Sequence, residues 1–219
     1  RIWLPDMRPD REVPGPLGTR FSVVGHVIET GSTNADLIEA AADGADEGLV
    51  LVADHQRAGR GRQARTWHDD PGNALLMSVL LRPGPGLAPL IPFIMGLAAV
   101  DAVAATAELS APLALKWPND VLVPTLAERK LAGILAEATT RPGVQDLAVV
   151  VGMGLNLRWS NPPPPDVAER ATTLDELTSE PVDRWHLASE VLRALDRWLT
   201  TAAERGPTAV LDHYRRWCI

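Results

Sequence analysis

The segment GRGRQAR, residues 59–65, places three arginines and two glycines within seven residues and is called the arginine loop below. Glycines let backbone amides approach a phosphate closely, and arginines offer forked N–H donors to its oxygens. It is not a Walker A loop, because the glycine-lysine-serine/threonine ending is missing. The pattern leaves two alternatives open, a solvated basic surface loop or a cradle for a phosphate.

A second polar cluster is KWPND, residues 116–120. Pro118 fixes a turn, and Asn119 and Asp120 present short polar side chains from a strand end. These groups can read the edge of an adenine base, and Asp120 can approach a metal ion held by phosphates. An ordinary β-turn with an Asx motif is the alternative, and the isolated pattern favours that turn.

Three further segments carry polar or unusual residues. In RKLAGILAEA, residues 129–138, Lys130 is either a buried ammonium that needs an anionic partner or a solvated lysine at a strand edge. GSTN, residues 31–34, places hydroxyls and an amide at a helix start, where they cap the helix or bind a small polar ligand. VGMGLNL holds Gly152 and Gly154 inside a strand, which indicates close approach by a ligand or another backbone.

The sequence shows no serine, histidine and aspartate set, no cysteine nucleophile and no metal pattern among its five histidines. It offers cations, amides and hydroxyls instead. These groups suit electrostatic stabilisation of a charged transition state, as in adenylyl transfer.

The elements that position these segments follow from apolar patterning. Strands are predicted at 21–29, 48–55, 73–82, on both sides of Pro118 within 113–123, at 129–139 and at 146–157. Helices are predicted after Ser32 or Thr33 as far as Gly44, within 87–107, from about residue 182, and at 209–219. The proline run at 161–166 is predicted to lack regular structure. The expected fold class is α+β, a mixed sheet of roughly seven strands backed by helices.

Composition limits the class of protein further. The 219 residues are 46% hydrophobic and 22% charged, as in an ordinary globular protein, and one domain is the default. A net charge of -7 argues against a broad DNA-binding surface. The single cysteine, Cys218, excludes an intramolecular disulfide, and a reducing cytoplasm is the expected setting.

Two segments bear on membranes and targeting. Residues 87–107 are long and apolar enough for a span, but prolines at the start and richness in alanine favour a buried core helix. Residues 1–20 have no apolar run of secretory length and contain four prolines, so an extended N-terminal arm is predicted there.

Taken in order, GSTN, HQRAGRGRQARTW with PGN behind it, KWPND, RKLAGILAE and VVGMGLNL resemble the biotin protein ligases. Five blocks across residues 31–157 match. The resemblance implies a fold related to class II aminoacyl-tRNA synthetases and the use of biotin and MgATP. It implies that biotin is activated as biotinyl-5′-AMP and passed to a lysine of a biotin carboxyl carrier protein, without an enzyme nucleophile.

The resemblance also implies site residues. The implied biotin-binding residues are Ser32, Thr33, Asn34, Gln56, Gly59, Arg60, Gly61, Arg62, Lys130, Gly133 and Ile134. The implied adenylate-binding residues are Arg60, Arg62, Arg65, Trp67, Asn119, Asp120, Lys130 and Asn156. Lys130 and Arg60 are the implied catalytic residues, and Asp120 is the implied metal ligand.

The sequence departs from the family pattern at Ala64, where a glycine is usual. About thirty residues precede GSTN, too few for the winged-helix domain of members that repress transcription. We expect a catalytic domain over residues 21–219 without the SH3-like domain that ends many members. The expected protein is a cytoplasmic monomer or homodimer that binds neither DNA nor membranes. The alternatives are a lipoate ligase or octanoyltransferase of the same fold, and a non-enzymatic nucleic-acid-binding module.

Overall fold

A mixed β-sheet is the frame of the structure, a computed structural model that describes residues 3, 8–62, 66–67, 71–140 and 147–219. Within these residues eight strands pair in the order β1-β2-β3-β4-β8-β7-β6-β5. Strands β2 and β3 are parallel, and the other neighbours are antiparallel. The strands are β1 (Arg11–Pro14), β2 (Val23–Thr30), β3 (Val50–Gln56), β4 (Ala74–Leu81), β5 (Ala114–Lys116), β6 (Asp120–Val123), β7 (Arg129–Thr140) and β8 (Leu147–Asn156).

Helices cover both faces of this sheet. Helix α1 crosses one face as the connection between parallel strands β2 and β3, which need such a crossover. Helices α2 and α4 pack on each other and on the opposite face, where the larger apolar core lies. The helices are α1 (Thr33–Ala42), α2 (Ile91–Thr106), α3 (Pro165–Ala168), α4 (Arg184–Arg205) and α5 (Pro207–Trp217).

The predicted mixed sheet backed by helices is confirmed, with two local corrections. Arg11–Pro14, which lies within the predicted N-terminal arm, pairs with β2 and adds a strand to the expected seven. The proline run was predicted to lack regular structure, yet α3 begins at Pro165. Proline is tolerated there because the first turn of a helix leaves its N–H groups unpaired anyway.

Helix α2 is largely apolar, and most of its residues are buried. Together with the short turn before it, it forms the one helix among the described residues that is long and apolar enough to cross a membrane. Ile94, Met95, Leu97 and Ala98 are fully buried between α4 and the sheet. The sequence-based preference for a core helix agrees with this packing.

A partly buried polar cluster connects the start of α4 to strands β2 and β3. Arg184 Nη2 lies 2.6 Å from Asp54 Oδ1, and His26 Nε2 lies 2.8 Å from the same oxygen. Arg11 Nε donates to His26 Nδ1 at 3.1 Å, so the Nε2–H of the ring donates to Asp54. Burial tends to raise the pKa of Asp54, but hydrogen bonds from His26 and Arg184 outweigh it and lower that pKa.

We predict that Asp54→Asn lowers the free energy of unfolding by about 1–3 kcal/mol at neutral pH, because Arg184 and His26 lose a charged acceptor. The pKa of Asp54 is lower in the folded state, so its stabilising effect is present above the ordinary value of 3.8 and is lost as the pH falls through the folded pKa. Urea unfolding across this range should show the difference from wild type shrinking in acid. Asp212→Asn, which breaks an exposed pair on α5, is the control. If the free energies of unfolding of Asp54→Asn and wild type differed by the same amount at all pH values, the prediction would be contradicted.

Candidate active site

Three glycines on adjacent strands create a trough in the sheet face that α1 covers. Gly133 of β7 faces Gly154 of β8, and two residue pairs further along Leu135 of β7 faces Gly152 of β8. All three glycines line a cavity of about 890 Å³. We call Gly133, Gly152 and Gly154 the glycine trough.

Side chains from other elements occupy the space that the glycines leave. A Cβ atom at Gly152 would overlap the side-chain oxygen of Asn34, and one at Gly154 would lie 2.5 Å from the Trp67 ring. A Cβ at Gly133 would lie 2.7 Å from Lys130 Nζ and 3.0 Å from Trp67. The predicted close approach at Gly152 and Gly154 is therefore made by side chains that shape the cavity.

The first turn of α1 is held by a hydrogen-bonded chain. Thr33 N–H donates to Gln56 Oε1 at 2.8 Å, and the Thr33 hydroxyl lies 2.7 Å from the Ser78 hydroxyl. Ser78 donates to Asn34 Oδ1 at 2.7 Å. Gln56 of β3 and Ser78 of β4 thus fix the helix start against two strands.

The same chain continues from Asn34 to the arginine loop. Asn34 Nδ2 donates to Leu135 O at 3.1 Å and to Glu137 Oε2 at 2.8 Å. Glu137 Oε2 in turn lies 3.5 Å from Arg60 Nη2. Both amide hydrogens of Asn34 are engaged, so this residue braces the cavity wall rather than offering donors to a ligand.

Of the two alternatives for GSTN, capping of α1 by a hydroxyl is not observed. Ser32 occupies the N-cap position, but its side chain makes no capping hydrogen bond, and the Gln56 side chain accepts from the helix instead. Within the described residues the Ser32 hydroxyl has no hydrogen-bond partner, although the residue is only 5% exposed and lines the cavity. It can therefore bind a polar group of a ligand.

The two ends of the arginine loop are joined. Arg60 forms a β-bridge with Thr66, and Trp67 N–H donates to Gly59 O at 3.0 Å. Gly59 packs against Trp67 and does not line the cavity, whereas Arg60, Gly61 and Arg62 do. Arg65, implied as an adenylate-binding residue, and Ala64 lie outside the described residues.

Lys130 faces the cavity with a carboxylate partner. Its Nζ lies 2.7 Å from Asp120 Oδ1 and 5.6 Å from the centre of the Trp67 ring. The side chain is about one-third exposed. Of the two alternatives, the structure therefore shows a half-buried ammonium with an anionic partner. Asn119, which precedes Asp120, is hydrogen-bonded to β7, because its Nδ2 donates to Ile134 O at 2.9 Å.

The backbone of Lys130 is clamped from both sides. Its N–H donates to Arg170 O at 2.7 Å, and its carbonyl accepts from Thr172 N at 2.9 Å. Asn156 Nδ2 donates to Thr172 O at 3.0 Å and approaches Lys130 O at 3.4 Å. Asn156 lines the cavity, and its amide also fixes the strand that carries Lys130.

The cavity brings together nearly all of the implied site residues. Those that line it are Ser32, Thr33, Asn34, Gln56, Arg60, Gly61, Arg62, Trp67, Asn119, Asp120, Lys130, Gly133, Ile134 and Asn156. Sequence reasoning missed Ser78 and Glu137. Ser78 carried a signal as the one polar residue in the strand ALLMSVLL, and Glu137 follows Gly133 and Leu135 at alternate positions of β7.

The cavity therefore presents cations, amides and a hydroxyl on a mixed sheet, which suits an enzyme that binds an anionic substrate and stabilises charge. The sequence profile of the biotin/lipoate A/B protein ligase family matches residues 24–156. The chain belongs to that family.

Individual relatives agree with this assignment. The chain is 39% identical over 206 residues to a Mycobacterium tuberculosis biotin–[acetyl-CoA-carboxylase] ligase, covering 91% of this chain and 72% of that protein. It is 32% identical over 187 residues to the bifunctional ligase/repressor BirA of Bacillus subtilis, covering 82% of this chain and 56% of that protein. The structure of a biotin protein ligase from Aquifex aeolicus in complex with biotin and ATP aligns with a TM-score of 0.72 at 28% identity, covering 90% of this chain and 78% of that one.

We predict that Gly152→Ala lowers the free energy of unfolding by about 1–3 kcal/mol, because the new methyl group must displace the buried Asn34 side chain. Gly84→Ala is the matched control, since a Cβ there has open space around it and should cost less than about 0.5 kcal/mol. Urea unfolding of both variants gives the comparison. Equal stability of the two variants would show that Asn34 is not held tightly.

Proposed function

We propose that the protein activates biotin with ATP as biotinyl-5′-AMP and transfers the biotinyl group to a lysine of a biotin carboxyl carrier protein. The single observation that carries the proposal is the convergence of Lys130, Arg60 and Arg62 on one cavity that contains the braced start of α1. The relatives support biotin over lipoate, because they bear the names of biotin ligases and the Aquifex structure contains biotin and ATP.

In the first step, a carboxylate oxygen of biotin attacks the α-phosphorus of ATP and pyrophosphate leaves. The Ser32 hydroxyl and the wall around Gln56 bind the uncharged part of biotin. Lys130 stabilises the charge that develops at the phosphate, because its ammonium faces the cavity and its backbone is clamped. Arg60 and Arg62 offer forked donors to the carboxylate and phosphate oxygens.

Magnesium fits this site as an ion that arrives with the nucleotide. Among the described residues no group of three or more His, Cys, Asp or Glu side chains could hold a metal ion. Mg²⁺ is usually bound by one or two carboxylates together with substrate phosphates, which suits Asp120 at the cavity wall. The ion would supply further charge neutralisation at the phosphates.

In the second step, the amine of the carrier lysine attacks the acyl carbon of the mixed anhydride and AMP leaves. No covalent enzyme intermediate is needed, which agrees with the absence of a nucleophile motif in the sequence. We also propose that the protein acts in the cytoplasm.

Incubation with biotin, MgATP and a biotin carrier domain, followed by intact mass measurement, tests the proposal. Wild type should add one biotinyl group to the carrier, and lipoate in place of biotin should not support the reaction. The absence of any gain in mass on a competent carrier would refute the function.

With biotin and MgATP as substrates, Lys130→Ala should reduce the rate of pyrophosphate release by about 100-fold or more, because a preorganised charge at the transition state is lost. Arg129→Ala is the matched control: this neighbour on β7 pairs with Glu176 and does not line the described cavity. Arg129→Ala should retain activity, and near-normal pyrophosphate release by Lys130→Ala would remove Lys130 from the mechanism.

Glu137 competes with the ligand for Arg60. Glu137→Gln keeps an oxygen that can accept from Asn34 but removes the charge that faces Arg60 at 3.5 Å. We predict that this variant binds a biotinyl-adenylate mimic about two- to fivefold more tightly, since an exposed ion pair contributes up to about 1 kcal/mol. Calorimetry gives the affinity.

The matched control for Glu137 is Glu29→Gln, because Glu29 also pairs with an arginine at 3.5 Å, here Arg57. The affinity of this control should not change. Unchanged or weaker binding by Glu137→Gln would mean that Glu137 supports the bound state instead of competing with the ligand.

A further inference from the structure

The turn between β5 and β6 carries the tryptophan of KWPND on the rim of the cavity. Asn119 N–H donates to Lys116 O at 3.1 Å, so Trp117 and Pro118 lie at the tip of the turn. The other four residues of the motif line the cavity, whereas Trp117 does not. The Trp117 side chain is 67% exposed. It therefore faces solvent at the edge of the cavity.

Other exposed apolar side chains lie beside Trp117. Cys218 forms a parallel bridge with Leu115, and Ile219 N–H donates to Leu115 O at 3.1 Å, so the segment after α5 runs along the outer edge of β5. Ile219 is therefore level with the residue before Trp117. Six large apolar side chains are exposed in the described part of the chain, and three of them are Trp117, Trp217 and Ile219. We call these three the edge patch, because grouped exposed apolar residues indicate an interaction site more than scattered ones do.

The rim beside Trp117 has a fixed shape. Ala127 and Glu128, which line the cavity between β6 and β7, have φ angles of 54° and 57°. Non-glycine residues keep this left-handed conformation only where the surrounding structure holds them in it. Glu128 Oε2 accepts from Lys116 Nζ at 2.6 Å and joins this segment to the turn that carries Trp117. A surface whose conformation is set in advance loses less entropy when a partner docks.

We propose that the edge patch is the docking surface for the carrier domain and that Trp117 is its anchor. The proposal rests on the proposed function, because that function requires a protein to deliver a lysine to the cavity. A lysine side chain is short compared with a domain, so the rest of the carrier must lie on the rim while the amine reaches the adenylate. The edge patch is continuous with that rim through Lys116 and Pro118.

The chemistry of the edge patch suits a protein partner. Other exposed residues that line the cavity are charged, among them Arg60, Arg62, Glu169 and Arg170. The centres of protein interfaces are depleted of charged residues and enriched in aromatic ones. Tryptophan is also among the residues that most often carry the binding energy of an interface. The edge patch therefore fits an apolar surface of the carrier near its acceptor lysine.

The test compares transfer to the carrier with reactions that need no carrier. Wild type, Trp117→Ala, Trp117→Phe and Ile28→Ala are purified, and urea unfolding verifies that each is folded. Three rates are then measured for each protein: pyrophosphate release from biotin and MgATP, acylation of hydroxylamine by the adenylate, and biotinyl transfer as a function of the concentration of the carrier domain.

Ile28→Ala is the matched control for Trp117→Ala. The Ile28 side chain is 64% exposed, nearly as much as that of Trp117. Its strand, β2, lies six strands from β5 in the sheet order, which corresponds to roughly 29 Å at the usual spacing of strands. A general effect of removing an exposed apolar side chain would therefore appear in both variants.

We expect Trp117→Ala to raise the KM for the carrier about tenfold or more, as loss of an aromatic anchor predicts. Its pyrophosphate release and its acylation of hydroxylamine should stay within about twofold of wild type, since an exposed side chain outside the cavity is removed. Trp117→Phe should restore most of the affinity for the carrier, and Ile28→Ala should match wild type. A higher KM at an unchanged kcat is the signature of lost binding.

An unchanged KM for the carrier in Trp117→Ala would overturn the proposal. An equal rise of this KM in Ile28→Ala would also overturn it, as would a parallel loss of pyrophosphate release in Trp117→Ala, because neither result would place the effect in docking. If wild type itself released no pyrophosphate, the proposed function would be refuted and this proposal with it.

Discussion

The site depends on a steric constraint, the missing side chains of the glycine trough. A β-sheet face normally carries side chains at every second residue, and these would fill the region between the sheet and α1. Here Gly133 and Gly154 face each other across two strands, and the Trp67 ring lies on them. The missing side chain at Gly152 leaves room for the side chain of Asn34, which joins α1 to the sheet. Elements that are distant in sequence therefore meet in one cavity because the sheet itself contributes almost no volume there.

A second constraint concerns charge. A half-buried cation is costly without a partner, and three of the cations that line the cavity each have a carboxylate within 3.5 Å. Asp120 faces Lys130, Glu137 faces Arg60, and Glu128 faces Lys116. These pairs neutralise part of the positive charge on the cavity wall before any anion is present. An incoming phosphate or carboxylate must displace a protein carboxylate from its cation. The net gain in binding free energy is therefore smaller than the number of cations suggests.

The strands, helices and ordered motifs could be predicted from sequence because each depends on local patterning. The apolar alternation and turn residues located seven of the eight described strands, whereas β1 was missed because four residues next to prolines carry little signal. Ser78 and Glu137 both act through hydrogen bonds to Asn34, from which they are separated by 44 and 103 positions in the sequence. No local pattern reveals such distant partners. The capping of α1 by Gln56 was missed for the same reason, since a hydroxyl at the N-cap was the nearer candidate.

Lys130 and Arg60, the two cations proposed to be catalytic, differ in how they are supported, and this difference suits a reaction with two successive substrates. Lys130 lies on a strand whose backbone is bound by Arg170, Thr172 and Asn156, so its position is set before any ligand arrives. Arg60 lies in a loop whose ends are joined by a β-bridge and a backbone hydrogen bond, but the Arg60 side chain itself has one long ion pair, with Glu137. A fixed ammonium can stabilise a transition state without reorganisation, whereas a weakly held guanidinium can follow the ligand from carboxylate to acyl phosphate. Lys130 is held rigidly on the sheet, whereas Arg60 in the loop can adapt its position. This division suits a cavity that retains the adenylate and still admits an amine.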